Sequence, residues 1–235
     1  MKYKNLLVSG CSFSKDWGPG GLRSWSHWVQ QRYNFNTVYN CALSGAGNKQ
    51  IADSIVHQLE FNTELTPENT YVIVMWSGAD RIDTMITPDA LAKDYSGTYT
   101  YQNNIIAGIS GGKYNPSNMK TNVFKHLYDV KNNDILALET FINITNSFHY
   151  LRSKGYKFKF VQYLNTSVPS RDESFDWQSL LSVDTTYMIN DCQTVYEYAL
   201  KNDLLSDDDF HPTEQGYQLW VDNVLSQEID NDLIS

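Results

Sequence analysis

Residues 5–14 read NLLVSGCSFS, and this stretch predicts the first strand and loop of the fold. Its first half, Asn5 to Ser9, is a short apolar run of the kind that forms a buried strand. Gly10 ends the run, and small and polar residues follow as far as Gly21. We therefore expect a buried strand whose carboxyl end opens into a loop.

Strands and helices are predicted to alternate after this first strand. Ser24 can cap a helix that carries Trp25, Trp28, Val29 and Tyr33 on one face, and a second strand is expected within Phe35 to Leu43. The spacing of Ile51, Ile55, Val56 and Leu59 predicts another helix. The run TYVIVMW, Thr70 to Trp76, is too short for a core helix and predicts a central parallel strand. This alternation indicates a wound α/β sheet.

The second half of the chain repeats the pattern after an irregular stretch. Residues 84–133 show no sustained period and predict a long insertion, such as a lid or binding loop, within a single domain that spans residues 1–235. A helix from Ile135 to Leu151 and the strand YKFKFVQYL form another unit. A helix around Met188 to Leu200 and a terminal helix with Tyr217, Trp220, Val221, Val224 and Leu225 complete the prediction.

Composition narrows the possible functions. The net charge of -9 argues against nucleic acid and anionic membranes as partners. The first ten residues contain no secretory or membrane-spanning segment, so a cytoplasmic protein is expected. The three scattered cysteines and five histidines form no metal-binding spacing, which predicts chemistry without metal or cofactor. No pattern in the sequence indicates the oligomeric state.

Loops at the carboxyl ends of the predicted strands carry the candidate chemistry, because such loops meet over one edge of a parallel sheet. GCSFS (10–14) offers the Ser12 hydroxyl, and SGAGN (44–48) offers backbone N–H groups. DDDFHP (207–212) brings Asp208 and His211 together before the last helix. A serine needs an imidazole base, and the imidazole needs an orienting carboxylate, so these residues predict a Ser-His-Asp triad.

GCSFS, the stretch NCALSG (40–45) and DDFHP followed by TEQGYQLW together resemble the sequence blocks of the SGNH (GDSL-type) hydrolase superfamily. The resemblance extends over nearly the whole chain. It implies a flavodoxin-like, three-layer α/β/α fold with a central parallel sheet and a cofactor-free esterase activity. It also implies Ser12 as nucleophile and first oxyanion donor, Gly45 as second donor, His211 as general base and Asp208 as the acid that orients it.

Two positions depart from the family pattern. Cys11 replaces the aspartate of the GDS motif, a change of little consequence. In the third block the family has Gly-x-Asn-Asp where this chain has SGAD (77–80), so Ala79 occupies the place of an oxyanion-hole asparagine. Loss of one such donor typically costs about two to three powers of ten in turnover. Asn48 is the first candidate to replace it and Arg81 is the second.

The hypothesis that follows is hydrolysis of a small-molecule or glycan ester, with an O-acetyl group on a glycan as the first substrate to test. Trp76 and Arg81 are the candidate substrate-binding residues, although a tryptophan at the end of a central strand is more often core and Arg81 could belong to an ion-pair cluster. The alternative is a catalytically weak or silent module of the same fold that binds a glycan or a protein partner.

Ser110 and Cys11 are two other candidate nucleophiles. GISGG (108–112) matches G-x-S-x-G around Ser110 but lacks the preceding buried strand and following helix of that motif. The Cys11 thiol could pair with His211, but successive residues leaving a strand point to opposite sides, so Cys11 is expected to pack beneath the loop.

Overall fold

The structure describes the central sheet, its helices and the loops that carry Ser12 and His211. The computed structural model describes residues 3–18, 21–79, 81–83, 135–163, 194–208 and 210–234, with the backbone alone of 85–86, 107–108 and 133–134. Ser110 and residues 164–193 lie outside the described residues, as does most of the predicted insertion at 84–133. The predicted domain boundaries and the insertion therefore stay predictions.

Four parallel strands form the central sheet: β1 Asn5–Ser9, β2 Thr37–Asn40, β3 Thr70–Trp76 and β6 Lys157–Gln162. Their order across the sheet is β2, β1, β3, β6. Every residue of β1 and β3 is buried, because these two inner strands are covered on both faces. The predicted central strand is confirmed.

Helices cover both faces of this sheet. Their bounds are α1 Trp25–Tyr33, α2 Asn48–Phe61, α3 Asn133–Lys154, α4 Val195–Lys201, α5 Glu214–Trp220 and α6 Ser226–Leu233. A π-helical turn, Val221–Leu225, joins α5 to α6. Helices α2 and α3 pack against each other, whereas α1 packs against α5 and the π-helical turn. The three-layer α/β/α architecture expected from the sequence is confirmed.

The second strand lies within the predicted segment and ends at Asn40, because the Asn40 side-chain oxygen accepts the Ala42 N–H at 3.0 Å and turns the chain. One predicted detail differs from the structure. Ser24 does occupy the N-cap position of α1, but its hydroxyl donates to the Ser14 carbonyl at 3.0 Å and does not cap a helix N–H. The serine thus holds the preceding loop instead of the helix end.

A short antiparallel pair lies within the stretch that the sequence treats as irregular. Strand β4, Met85–Ile86, pairs with β5, Ala107–Gly108. The two strands are separate from the four-stranded sheet.

The C-terminal helices dock beside α1 through specific contacts. The Trp25 and Trp220 rings meet edge to face with centroids 6.4 Å apart, and the Arg23 N–H donates to the Glu214 carboxylate at 3.1 Å. At the opposite end, the Tyr71 hydroxyl donates to Asp232 at 2.9 Å. These contacts fix the chain before α5 above the loop that follows β1. None of the described helices combines the length and the hydrophobicity needed to cross a bilayer.

Candidate active site

A tight turn after β1 carries the predicted nucleophile. The Ser14 N–H donates to the Cys11 carbonyl at 2.9 Å and closes the turn around Ser12. Ser14 anchors the turn, since its hydroxyl accepts the Trp25 indole N–H at 3.0 Å and its carbonyl accepts the Asn40 amide at 2.7 Å. Ser12 is half-buried, whereas Cys11 is completely buried beneath the loop. The thiol has no access to a substrate, as the sequence predicts.

A second turn presents the predicted base. Leu205 and Pro212 form an isolated antiparallel bridge, and the Ser206 N–H donates to the His211 carbonyl at 2.7 Å. Phe210 adopts a left-handed conformation with φ 58° inside this turn. That conformation costs a non-glycine residue about 1–2 kcal/mol. The turn therefore holds the residue before His211 in an unfavourable backbone geometry.

These two turns bring Ser12 and His211 together, although 199 residues separate them in the sequence. The His211 Nε2 atom lies 2.8 Å from the Ser12 Oγ atom, within hydrogen-bonding distance. This is the geometry required for an imidazole to take the proton of an attacking hydroxyl. The Nδ1 atom on the other side of the ring is buried.

Aromatic packing holds the imidazole from one side. The Phe13 ring lies 4.5 Å from the His211 ring at an interplanar angle of 33°, and Tyr163 packs on Phe13 at 4.6 Å. Phe13 is 7% exposed. Sequence reasoning missed this contact; the only signal was the adjacency of Phe13 to the candidate nucleophile. Phe13 thus links the nucleophile turn, the base and the end of β6.

The predicted orienting acid, Asp208, lies in the same turn as the base. Asp208 is exposed, and among the described residues no hydrogen bond or ion pair joins its carboxylate to His211. Its role in the triad stays a prediction.

The backbone N–H groups of Ser12 and Gly45 donate to no acceptor among the described residues. Gly45 has φ 76°, a conformation that glycine adopts without the steric penalty of other residues. These are the two groups that the resemblance implies as oxyanion donors.

Two side chains of the segment after β3 bond to the loop of residues 44–48, which we call the glycine loop. Arg81 donates from Nη1 to the Ala46 carbonyl at 3.0 Å. The Asp83 carboxylate accepts the Gly47 N–H at 2.9 Å and the Gln50 N–H at 2.8 Å. The fit is close, because a Cβ atom on Gly47 would lie 2.6 Å from Asp83 Oδ2. Asp83 therefore caps the start of α2 and fixes the loop that contains Gly45.

Burial determines the ionisation of Asp83. Removal from water raises the pKa of its carboxyl above the ordinary 3.8, while the two backbone hydrogen bonds and the Arg81 charge act in the opposite direction. The ionised carboxylate is consequently less favourable in the folded protein than in the unfolded chain.

The contacts of Asn48 do not support its predicted role as an oxyanion donor. Its amide donates to the Ser77 carbonyl at 3.0 Å and to the Thr140 hydroxyl at 3.1 Å, and its oxygen accepts the Ser77 N–H at 2.8 Å. Both amide hydrogens are engaged, so Asn48 ties α2 to β3 and α3. Ala79 is buried and has no side-chain donor.

The structure corrects the prediction of Trp76 as a substrate-binding residue. The last position of β3 points into the core, where Trp76 is 1% exposed and packs edge to face against Phe160 at 5.2 Å. A substrate cannot reach this ring.

Arg81 is more accessible than Trp76. Its guanidinium lies over the Tyr163 ring at 5.5 Å and also lines a cavity of about 170 Å³ between α2 and α3, together with Asp83 and Glu139. A role of Arg81 in substrate binding stays a prediction.

Solved structures share this architecture. The esterase EstA from Pseudoalteromonas sp. aligns with a TM-score of 0.53 and 14% identity over 99% of this chain and 100% of its own. TesA aligns with a TM-score of 0.54 and 14% identity over 97% and 98%. The chain has the fold of the SGNH hydrolases. No family model and no curated protein matches the sequence.

Hydrogen bonds join the segments after β1, β2 and β3 and the turn before α5 at one edge of the sheet. At 14% identity, the likeness establishes the fold alone. Among the described residues, no group of three His, Cys, Asp or Glu side chains could hold a metal ion.

Replacing Asp83 by asparagine tests its buried ionisation. Because the folded-state pKa is raised, the wild type gains stability as the pH falls through that pKa and stops gaining below 3.8, where the unfolded chain is protonated too. Asp83→Asn lacks this contribution. Urea unfolding from pH 7 to pH 3.5 should therefore show the free energy of unfolding of the wild type rising relative to that of the variant. A relative decrease toward acid would contradict the assignment.

Truncating Phe13 tests the packing beside the base. Phe13→Ala removes a buried ring and should lower the free energy of unfolding by about 3–5 kcal/mol. Phe61→Ala is the matched control, since Phe61 is 65% exposed and its truncation should change stability by less than about 0.5 kcal/mol. Denaturant unfolding measures both, and equal losses would show that Phe13 contributes no buried packing.

Proposed function

We propose that this protein hydrolyses esters with Ser12 as nucleophile and His211 as general base. The observation that carries the proposal is the 2.8 Å contact between Ser12 Oγ and His211 Nε2 at the carboxyl edge of the sheet. A loop serine or a surface histidine alone carries no such meaning, but the pair has the geometry of an activated nucleophile.

The reaction follows from that geometry. Ser12 Oγ attacks the ester carbonyl carbon while His211 Nε2 takes its proton, and the tetrahedral oxyanion accepts hydrogen bonds from the N–H groups of Ser12 and Gly45. Collapse breaks the ester C–O bond, and His211 returns the proton to the departing alcohol. Water, deprotonated by His211, then attacks the acyl-enzyme; the acyl C–Oγ bond breaks, His211 returns the proton to Ser12 Oγ, and the carboxylic acid is released. Asp208 is the proposed acid that orients the imidazole.

A structural neighbour suggests the probe. The EstA structure is that of an esterase inhibited by monoethylphosphonate. A phosphonate imitates the tetrahedral intermediate of acyl transfer, so it reports on a serine that is activated by a base.

Fluorophosphonate labelling tests the nucleophile. The wild type should be labelled at one residue, and both Ser12→Ala and His211→Ala should lose labelling and esterase activity by about four powers of ten or more. Ser153→Ala, on the exposed surface near the end of α3, is the control and should label as the wild type does. Labelling of Ser12→Ala at the wild-type rate would refute Ser12 as nucleophile.

The acid is tested by a matched pair of neighbours. Asp207 and Asp208 are both exposed in the same turn, so Asp207→Asn controls for the loss of local charge. Asp208→Asn should lower kcat by up to about four powers of ten if its carboxylate fixes the imidazole, with little change for Asp207→Asn. Equal, small effects would show that Asp208 is not the orienting acid.

A second candidate function is a binding module of the same fold. It is favoured by Ala79, which has no donor to offer, and by Asn48, whose amide hydrogens are already engaged. A folded wild-type protein that no fluorophosphonate labels, and that releases no acid from any ester, would support this alternative over the enzyme.

The glycan O-acetyl group remains the first substrate to test for the enzyme. Acetate release from acetylated oligosaccharides, compared between wild type and Ser12→Ala, measures it directly. Hydrolysis of simple acetates without release from any acetylated glycan would reject the glycan as substrate while retaining the esterase.

A further inference from the structure

Phe210 is an exception among the left-handed residues of this chain. Three described non-glycine residues have a positive φ angle: Asn34, Asp203 and Phe210. Asparagine and aspartate tolerate this conformation because their short polar side chains can bond to the local backbone. A phenylalanine has no such compensation, so the backbone at position 210 favours another residue type.

The solvent exposure of its apolar ring is a second unfavourable feature of Phe210. Phe210 is 66% exposed, so its ring contributes little to the hydrophobic core. Backbone strain and an exposed apolar ring at one position are explained neither by local propensity nor by packing. Uncompensated strain of this kind is concentrated at functional sites.

The position of Phe210 relates it to one side of the ester. Phe210 immediately precedes His211, and the Ser206 N–H to His211 carbonyl bond closes the turn that contains both. In the proposed reaction His211 Nε2 returns a proton to the departing alcohol, so the alcohol portion must lie within hydrogen-bonding distance of this imidazole. Phe210 adjoins this base in the chain.

We propose that Phe210 is a specificity-determining residue that contacts the alcohol portion of the substrate. The ligand chemistry that fits an exposed phenyl ring is a flat or apolar ring face, which an aryl alcohol or a sugar ring can supply. This assignment rests on the proposed esterase function. It predicts that the protein favours acetates of ring alcohols over acetates of small alcohols.

Phe210→Asn separates recognition from folding, because asparagine suits the left-handed backbone and removes the ring. The variant should melt at or above the wild-type temperature. Its kcat/KM for phenyl acetate or for an acetylated methyl glycoside should fall about tenfold, mostly through KM, while methyl acetate changes by less than about twofold. A loss confined to the phenyl ester identifies an aryl alcohol, and a loss confined to the glycoside identifies a sugar.

Phe61→Asn is the matched control, since Phe61 is 65% exposed and lies at the end of α2. It should leave the kcat/KM values of all three esters unchanged. An active wild type whose preference among these esters is the same in Phe210→Asn would overturn the assignment and leave the proposed function standing. A wild type inert toward every ester would overturn the proposed function and this assignment with it.

Discussion

The parallel register of the buried sheet is the constraint on which the site depends. Val8 in β1 lies opposite Asn40 in β2 and Ile73 in β3, while Trp76 pairs with Gln162 in β6. All four strands therefore end at one edge, and their loops meet there. Hydrogen bonds between the strands and burial of both faces of β1 and β3 hold that edge rigid. A site assembled from loops inherits precision from such a scaffold.

The segment after β3 holds the glycine loop, which contains Gly45. Ala79 contributes no side-chain donor, while Arg81 bonds to the carbonyl and Asp83 to the N–H of the peptide that joins Ala46 to Gly47. Asn48 adds a further link from α2 to Ser77. These bonds restrict the direction of the Gly45 N–H, which matters to the proposed reaction because a backbone donor is effective only when its direction is fixed.

Sequence patterns predicted the strands and the proximity of Ser12 and His211, since periodicity and motif order report on burial and on loops that share one edge. The three layers were implied by the family resemblance. Sequence patterns failed where one residue has two chemically reasonable uses. Asn48 and Trp76 had suitable groups for a site, but burial and tertiary hydrogen bonds use them in the framework. The Phe13 contact and the Phe210 backbone conformation arise from tertiary packing and turn geometry, which no local pattern encodes.

The loss of turnover expected from a missing oxyanion donor helps to distinguish an enzyme from a binding module. Removing one oxyanion donor costs about two to three powers of ten in turnover, whereas removing the nucleophile or the base costs about six. Ser12 and His211 are in contact, and two backbone donors have no competing acceptor among the described residues. In the proposed mechanism, the groups that make the larger contributions are present, and the side-chain donor at position 79 is absent. A slow esterase agrees with this balance better than a silent fold, because a protein without selection for catalysis has no need to hold an imidazole against a serine.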